Sequence, residues 1–194
     1  NTVLQAAYNP STGEMNTILA DNGMLPSTQP FSGYPWNYGG AETIAGGADI
    51  SEIVDWALVE IIDVSTSQTV MREAVLLDKT GLLREAANAM SLVELQGLDP
   101  DASYYVNICF RNHLDIGTQS ALSRSGRVID EDFNQPGAAY TTAGMPNPPM
   151  ITLPDGTMAQ ISGDVNGDGV INSLDYNQVI SVFFLFQYLS GDTN

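Results

Sequence analysis

The run VDWALVEIIDV, Val54–Val64, constrains the fold more than any other stretch of the chain. It is dense in β-branched and aromatic residues and is apolar at odd and even positions alike. Successive side chains of a strand point to opposite faces, so a strand with one wet face alternates apolar with polar. A strand apolar on both faces belongs inside, covered from two sides. TVMREAVLL (Thr69–Leu77) follows after a short polar turn, and DKTG turns the chain again. SLVELQ (Ser91–Gln96), the turn GLDPDA and SYYVNICFRN (Ser103–Asn112) make a hairpin-like pair. In the last of these, Tyr104, Val106, Ile108 and Phe110 share one face, and Tyr105, Asn107, Cys109 and Arg111 the other. TQSALSR and RVIDEDF complete the set of expected strands. With no long helix between them, the expectation is a mainly β chain, an Ig-like antiparallel β-sandwich over residues 1–141.

The flanks are less regular. Residues 1–50 are rich in Gly, Pro, Asn and Tyr, with a short strand expected around Val3–Tyr8 and a helical turn around Met15–Ala20. The strand near Val3–Tyr8 is a candidate to pair with a sheet edge, its own or a neighbour's. TAGMPNPPMITLP reads as an extended, proline-stiffened stretch, so residues 142–160 are expected to be a connector. Residues 161–194 then form a separate small appendage.

That appendage opens with DVNGDGVINSLD, Asp164–Asp175. Oxygen-bearing side chains fall at loop positions 1, 3, 5, 9 and 12, and a glycine at position 6. A hard cation the size of Ca²⁺ takes six to eight oxygens at roughly 2.3–2.6 Å, and a loop that doubles back on itself delivers them. Asp164, Asn166 and Asp168 offer side-chain oxygens, Val170 its backbone carbonyl, Asn172 a direct or water-mediated contact, and Asp175 the closing carboxylate. Gly169 permits the sharp turn. The competing reading, a metal-free Asp/Asn/Gly surface turn, explains the composition but not the full register of ligands. The last residues repeat the motif: Asp192 and Asn194 stand where positions 1 and 3 of a partial second calcium site would be.

After the loop the run Val179–Leu189 (VISVFFLFQYL) is apolar almost all the way round the helix it predicts. At eleven residues it is too short to span a bilayer. A surface helix keeps a polar face, so something must cover this one. Val179, Val182, Phe183, Phe184, Phe186 and Leu189 are therefore the candidate self-assembly residues, and a second copy of the chain is the simplest cover.

Charge narrows the partners. Twenty-three acids face six bases, of which Lys79 is the one lysine, for a net charge of −17. Phosphate recognition needs clustered Arg and Lys, so nucleic acid is excluded as a partner, and membrane insertion finds no apolar span. Divalent cations are the natural counter-ions. The single cysteine, Cys109, excludes an internal disulfide and reads as a packing residue. Structural loops of this kind fill where free Ca²⁺ is high, so the expected location is extracellular, secreted or on a cell surface.

Taken in order, LQAAYNPSTGEMNTILADNGMLPSTQPF, YPWNYGGAET, VDWALVEIIDV, GLDPDASYYVNICFRNHLDI and GDVNGDGVINSLD resemble a module of large secreted surface proteins of Bacteroidota-type bacteria. The calcium loop followed by one helix, closed by Asp rather than Glu, resembles the type I dockerin repeat. The resemblance implies an extracellular, calcium-binding Ig-like sandwich without a catalytic motif, used in adhesion and surface assemblies. It departs from that pattern in the apolar run after the loop.

No catalytic constellation emerges. His113 is the sole histidine, and no nucleophile elbow, phosphate loop or zinc spacing is present. The acid groups Asp99 and Asp101, and Asp130, Glu131 and Asp132, read as solvated loops rather than a glycosidase pair. Phe31, Tyr34, Trp36 and Tyr38 in PFSGYPWNYGG could stack on a glycan, although such a loop more often plugs the end of a sandwich. The expectation is thus a non-enzymatic, calcium-stabilised structural subunit that self-assembles into a fibre or filament. The alternatives are a dockerin-type module anchoring to a cohesin-like partner and a carbohydrate-binding module.

Overall fold

The computed structural model describes residues 1–93, 97–123, 129–141 and 148–190, with the backbone alone over 182–190. The elements run β1 (Tyr8–Asn9), β2 (Glu14–Met15), α1 (Ile18–Asp21), β3 (Ile53–Asp63), β4 (Gln68–Asp78), β5 (Leu83–Arg84) and β6 (Ser103–Cys109). β7 (Ile116–Gly117), β8 (Leu122–Ser123), β9 (Met150–Thr152), β10 (Met158–Gln160) and α2 (Ser173–Ser190) follow. The chain is mainly β, with an antiparallel sheet and a small C-terminal helix, in a β-sandwich-like arrangement.

The stretch that is apolar on both faces becomes the central strand. β3 pairs antiparallel with β4 along one edge and with β6 along the other. The order in the main sheet is β5-β4-β3-β6-β7, with β8 also beside β6. The two-residue period then sorts the side chains. Trp56, Leu58, Ala74, Leu76 and Cys109 point to one face, where Leu25, Phe31, Ala86 and Ala89 pack on them. Ala57, Val59, Ile61, Val75, Leu77, Val106 and Ile108 point to the other, beneath Val3, Leu4, Met15, Phe133, Met150 and Ala159. Each large side chain fully buried here contributes on the order of 1.5–3 kcal/mol, so the two covers together anchor the sheet.

Those covers differ from a second full sheet. One is the turn-rich segment 25–50, which lies over Trp56; the other is built from the hairpins β1–β2 and β9–β10 and the N-terminal residues. Of the expected strand RVIDEDF, Ile129–Asp132 is irregular and a turn begins at Phe133, while residues 127–128 lie outside the described residues. Of the expected strand SLVELQ, Leu92 makes a single bridge to Arg84, and residues 94–96 lie outside the described residues. Over 150–160 the expected extended connector is a β-hairpin, with Met150 and Ala159 in the core. Its prolines flank the pairing instead of interrupting it, so local stiffness did not prevent a tertiary role.

The N-terminal strand is used at home. Leu4 bridges Gln160 in parallel, with Gln160 N donating to Val3 O at 2.7 Å and Gln5 N to Gln160 O at 3.0 Å. Gln5–Ala7 turn rather than extend, so the strand expected at Val3–Tyr8 reduces to this bridge, made to the chain's own edge.

Candidate metal centre

The calcium-type loop is fixed to the sandwich before it begins. Leu114 N donates to Ile161 O at 2.9 Å, Ser162 N to Gln5 Oε1 at 3.1 Å, and Gly163 N to Asn112 O at 2.9 Å. Gly163 takes φ +123°, and a Cβ there would lie 3.3 Å from Ile171 Cγ2. Glycine is required by the turn and by the close approach together. The expectation of a separate appendage therefore gives way to a loop stitched onto residues 112–114.

Inside the loop the expected side-chain ligands are held by backbone amides, and the Val170 carbonyl by a side-chain amide. Asp164 Oδ1 accepts from Asp168 N at 3.1 Å and Oδ2 from Gly169 N at 2.9 Å. Asp175 Oδ1 accepts from Val165 N at 2.8 Å and Asn166 N at 3.1 Å, and its Oδ2 from Asn172 N at 2.9 Å. Asn166 Oδ1 and Asp168 Oδ1 accept from Asp168 N and Val170 N, at 2.8 and 2.9 Å. Asn172 Nδ2 donates to Val170 O at 3.2 Å. The chain thus closes from position 1 to position 12, and Gly169 turns at φ +81°.

The closing residue has a second task. α2 starts at Ser173; Asn172 Oδ1 accepts from Leu174 N at 2.8 Å, while the Asp175 carboxylate takes the Asn172 N–H. This is the reciprocal pattern of a capping box, with Asp at the third helical position. Loop closure and helix initiation are one event.

The two buried carboxylates of the loop have no positive partner among the described residues. Asp164 and Asp175 are 2% and 3% exposed, yet none of the ion pairs among the described residues reaches the loop. Burial and then the like charge of Asp175 lift the Asp164 carboxyl above its usual range. Burial would lift Asp175 as well, but the N–H groups of Asn172, Asn166 and Val165 outweigh it and hold that carboxyl low. Asp115, which still reaches solvent, is pushed up to about 6 by burial, Asp164 and Glu60. A carboxylate has about four lone-pair sites, so Asp164, holding two of these amides, and Asp175, holding three, each keep capacity for an ion. Among the described residues no three acid, His or Cys side chains make a metal cluster by themselves. The donor set that fits Ca²⁺ is the mixed one: three Asp, two Asn and the Val170 carbonyl. Asp192 and Asn194 lie outside the described residues.

The other candidates have structural partners. Cys109 is buried, and burial together with Asp115 and Glu60 pushes its thiol up, away from reactivity. His113 is 3% exposed, its Nδ1 against Asn112 Oδ1 at 2.7 Å and its ring pushed down to about 4 by burial. Asp99 and Asp132 tie turns, accepting from Asp101 N and Asn134 N at 2.9 and 3.1 Å. Lys79 pairs with Glu52 at 2.8 Å and Glu14 at 3.3 Å. Of the aromatic loop, Phe31 is fully buried and meets Trp36 edge-on at 5.2 Å. Arg72 donates to Trp36 O at 2.9 Å and stacks over Tyr38, leaving Tyr34 the exposed member at 79%.

α2 stands apart from this packing. Among its described side chains Asp175 alone is buried, while Leu174, Tyr176 and Val179 are 58%, 65% and 51% exposed. The side chains of Val182, Phe183, Phe184, Phe186 and Leu189 lie outside the described residues. No described helix is long and apolar enough to cross a membrane. Sequence reasoning missed the seats of the loop, Asn112 and the pair Pro35–Trp36, against which Gly167 rests. The one available signal was Gly167 itself, a glycine at a loop position with no ligand to supply.

Comparison with known proteins finds no matching family model, no similar curated protein and no similar solved structure.

Proposed function

We propose that this chain is a non-enzymatic, extracellular structural module in which Ca²⁺ closes the Asp164–Asp175 loop and α2 joins one copy to another. When bound, the ion supplies the positive charge that the two buried carboxylates lack. The chain's own residues do the rest. Asp175 caps α2 while it closes the loop, so ion binding sets the direction in which the helix leaves the sandwich. The observation that carries the reading is the exposure of Leu174, Tyr176 and Val179 at the start of a helix whose continuation is apolar in sequence. Apolar surface of this kind is worth about 25 cal/mol per Å² when removed from water, which favours a covered state. The self-assembly reading assigns that cover to a second copy. An anchoring module docked on a cohesin-like partner would use the same helix, and the two readings part on what the pure chain does alone.

Light scattering with negative-stain imaging, in Ca²⁺ and then in excess chelator, tests this. Concentration-dependent ordered particles are expected in Ca²⁺, dissolving on chelation and lost in Val179→Glu. A monodisperse monomer under both conditions overturns self-assembly and brings forward the anchoring role.

A further inference from the structure

Gly167 occupies the fourth position of the loop, which owes no oxygen to an ion. It has φ +69°, and a Cβ built on it would lie 2.6 Å from Pro35 Cγ, 3.0 Å from Pro35 Cδ and 3.5 Å from Trp36 Cζ2. The aromatic loop is thus in van der Waals contact with the backbone between Asn166 and Asp168, two of the expected ligands. Behind that contact the wall is firm. Trp36 meets the fully buried Phe31 edge-on, and its carbonyl is held by Arg72, which is itself paired with Glu60 on the central strand at 2.8 Å. A rigid line therefore runs from the sheet through Arg72 and Trp36 to the face of the loop.

From this contact we propose that Pro35 and Trp36 are positioning residues for calcium: they form the wall that sets the loop's ligand geometry, and ion binding in turn fixes the aromatic loop. The inference rests on the calcium reading above. It goes further by making the loop's affinity a property of the sandwich, so that Gly167 and Pro35 act as one unit across the fold. Coupling of this kind is reciprocal: whatever displaces Trp36 weakens the ion, and the ion restrains Trp36. Tyr34, exposed beside the wall, is carried with it.

The full-length chain is titrated with Ca²⁺ by calorimetry, and with Tb³⁺ by luminescence excited through indole. The chain has two tryptophans, Trp36 and Trp56; only the first lies against the loop. Tb³⁺ emission sensitised in the wild type is expected to fall about tenfold in Trp36→Phe, while calorimetry still shows the ion bound. Gly167→Ala is expected to weaken Ca²⁺ by about tenfold, from a Cβ at positive φ and the clash with Pro35. In a Pro35→Ala background the same substitution costs only about threefold, because the clash is gone and the φ strain remains. Pro35→Ala also serves where Gly167→Ala does not fold, with an expected loss of a few-fold in affinity on its own. Calcium binding with equal Gly167→Ala penalties in both backgrounds, or with sensitisation indifferent to Trp36, overturns the coupling and leaves the calcium reading standing. A wild type that gives neither heat with Ca²⁺ nor sensitised emission with Tb³⁺ overturns both.

Discussion

Two regions of this molecule bury carboxylates, and they manage the charge in opposite ways. In the sandwich, Asp78 is 4% exposed and has Arg84 at 2.6 Å; Asp55 is 6% exposed and has Arg111 at 2.6 Å. Burial would lift Asp78, but Thr80, Leu82 and Arg84 together hold its carboxyl below the usual range. Burial outweighs Arg111 at Asp55, which stays raised. In the loop, Asp164 and Asp175 are at least as buried and have no cation among the described residues. The sandwich carries its counter-charges in its own sequence, whereas the two loop carboxylates are held by backbone amides. That difference explains how a chain with six basic residues folds two kinds of acidic site. Among the described residues, Arg72, Arg84 and Arg111 pair with acids of β3 and β4.

The sharpest way to break the comparison is to make the sandwich resemble the loop. Arg84→Ala leaves Asp78 buried without its partner and is expected to cost about 3–5 kcal/mol. Urea melts should show that loss equally with and without Ca²⁺. A loss rescued by Ca²⁺ would mean that the Asp78 corner also takes an ion.

His113 shows a third solution, burial in the neutral form, and acid should expose it. With its folded value near 4 and an ordinary value near 6.5, its contribution is whole above pH 6.5 and is lost as pH falls through about 4. The amount at stake is about 3 kcal/mol. Asp115, raised to about 6, works in the opposite direction, gaining stability as pH falls. The comparison to make is between wild type and His113→Gln, since Asp115 is common to both. Urea stability from pH 7 to pH 4 should fall more steeply in the wild type; parallel slopes would discard the histidine account.

The loop gives the smallest effect. Ca²⁺ at a hundred times its dissociation constant is expected to add about 2.7 kcal/mol to unfolding. Asp164→Asn should remove that gain, and with it part of the like-charge strain of the metal-free loop. Thermal melts of both forms, with ion and with chelator, check it. A wild type indifferent to Ca²⁺ would leave the buried pair Asp164 and Asp175 without a counter-charge.

What was legible in the sequence was what depends on short-range pattern. β3 announced itself because Trp56 and Leu58 serve one layer while Ala57 and Val59 serve the other. The oxygen pattern proposed to hold calcium could be set out because loop positions are counted within twelve residues. What escaped was decided by distant partners. The hairpin β9–β10 lies in a proline-rich run whose local signal is stiffness, and only its place beneath the sheet makes it a strand pair. Ile129–Phe133 forms no strand, although Phe133 is buried under the sheet. Pro35 and Gly167 meet across most of the chain's length, and no periodicity connects them. The shallow second cover over Trp56 was hidden for the same reason, since loops that pack well carry no period.

One consequence follows from the bridge between Leu4 and Gln160. The two segments run parallel there, and β10 leads within four residues into the Asp164–Asp175 loop. Tension applied between the start of the chain and α2 would pull these strands past each other along their length. Their hydrogen bonds would then be loaded together rather than opened one after another. Phe133 N to Asn1 O and Thr2 N to Gly81 O share that load on the flanks. In a filament joined through α2, this short bridge is the place where a stretched subunit would resist being drawn out.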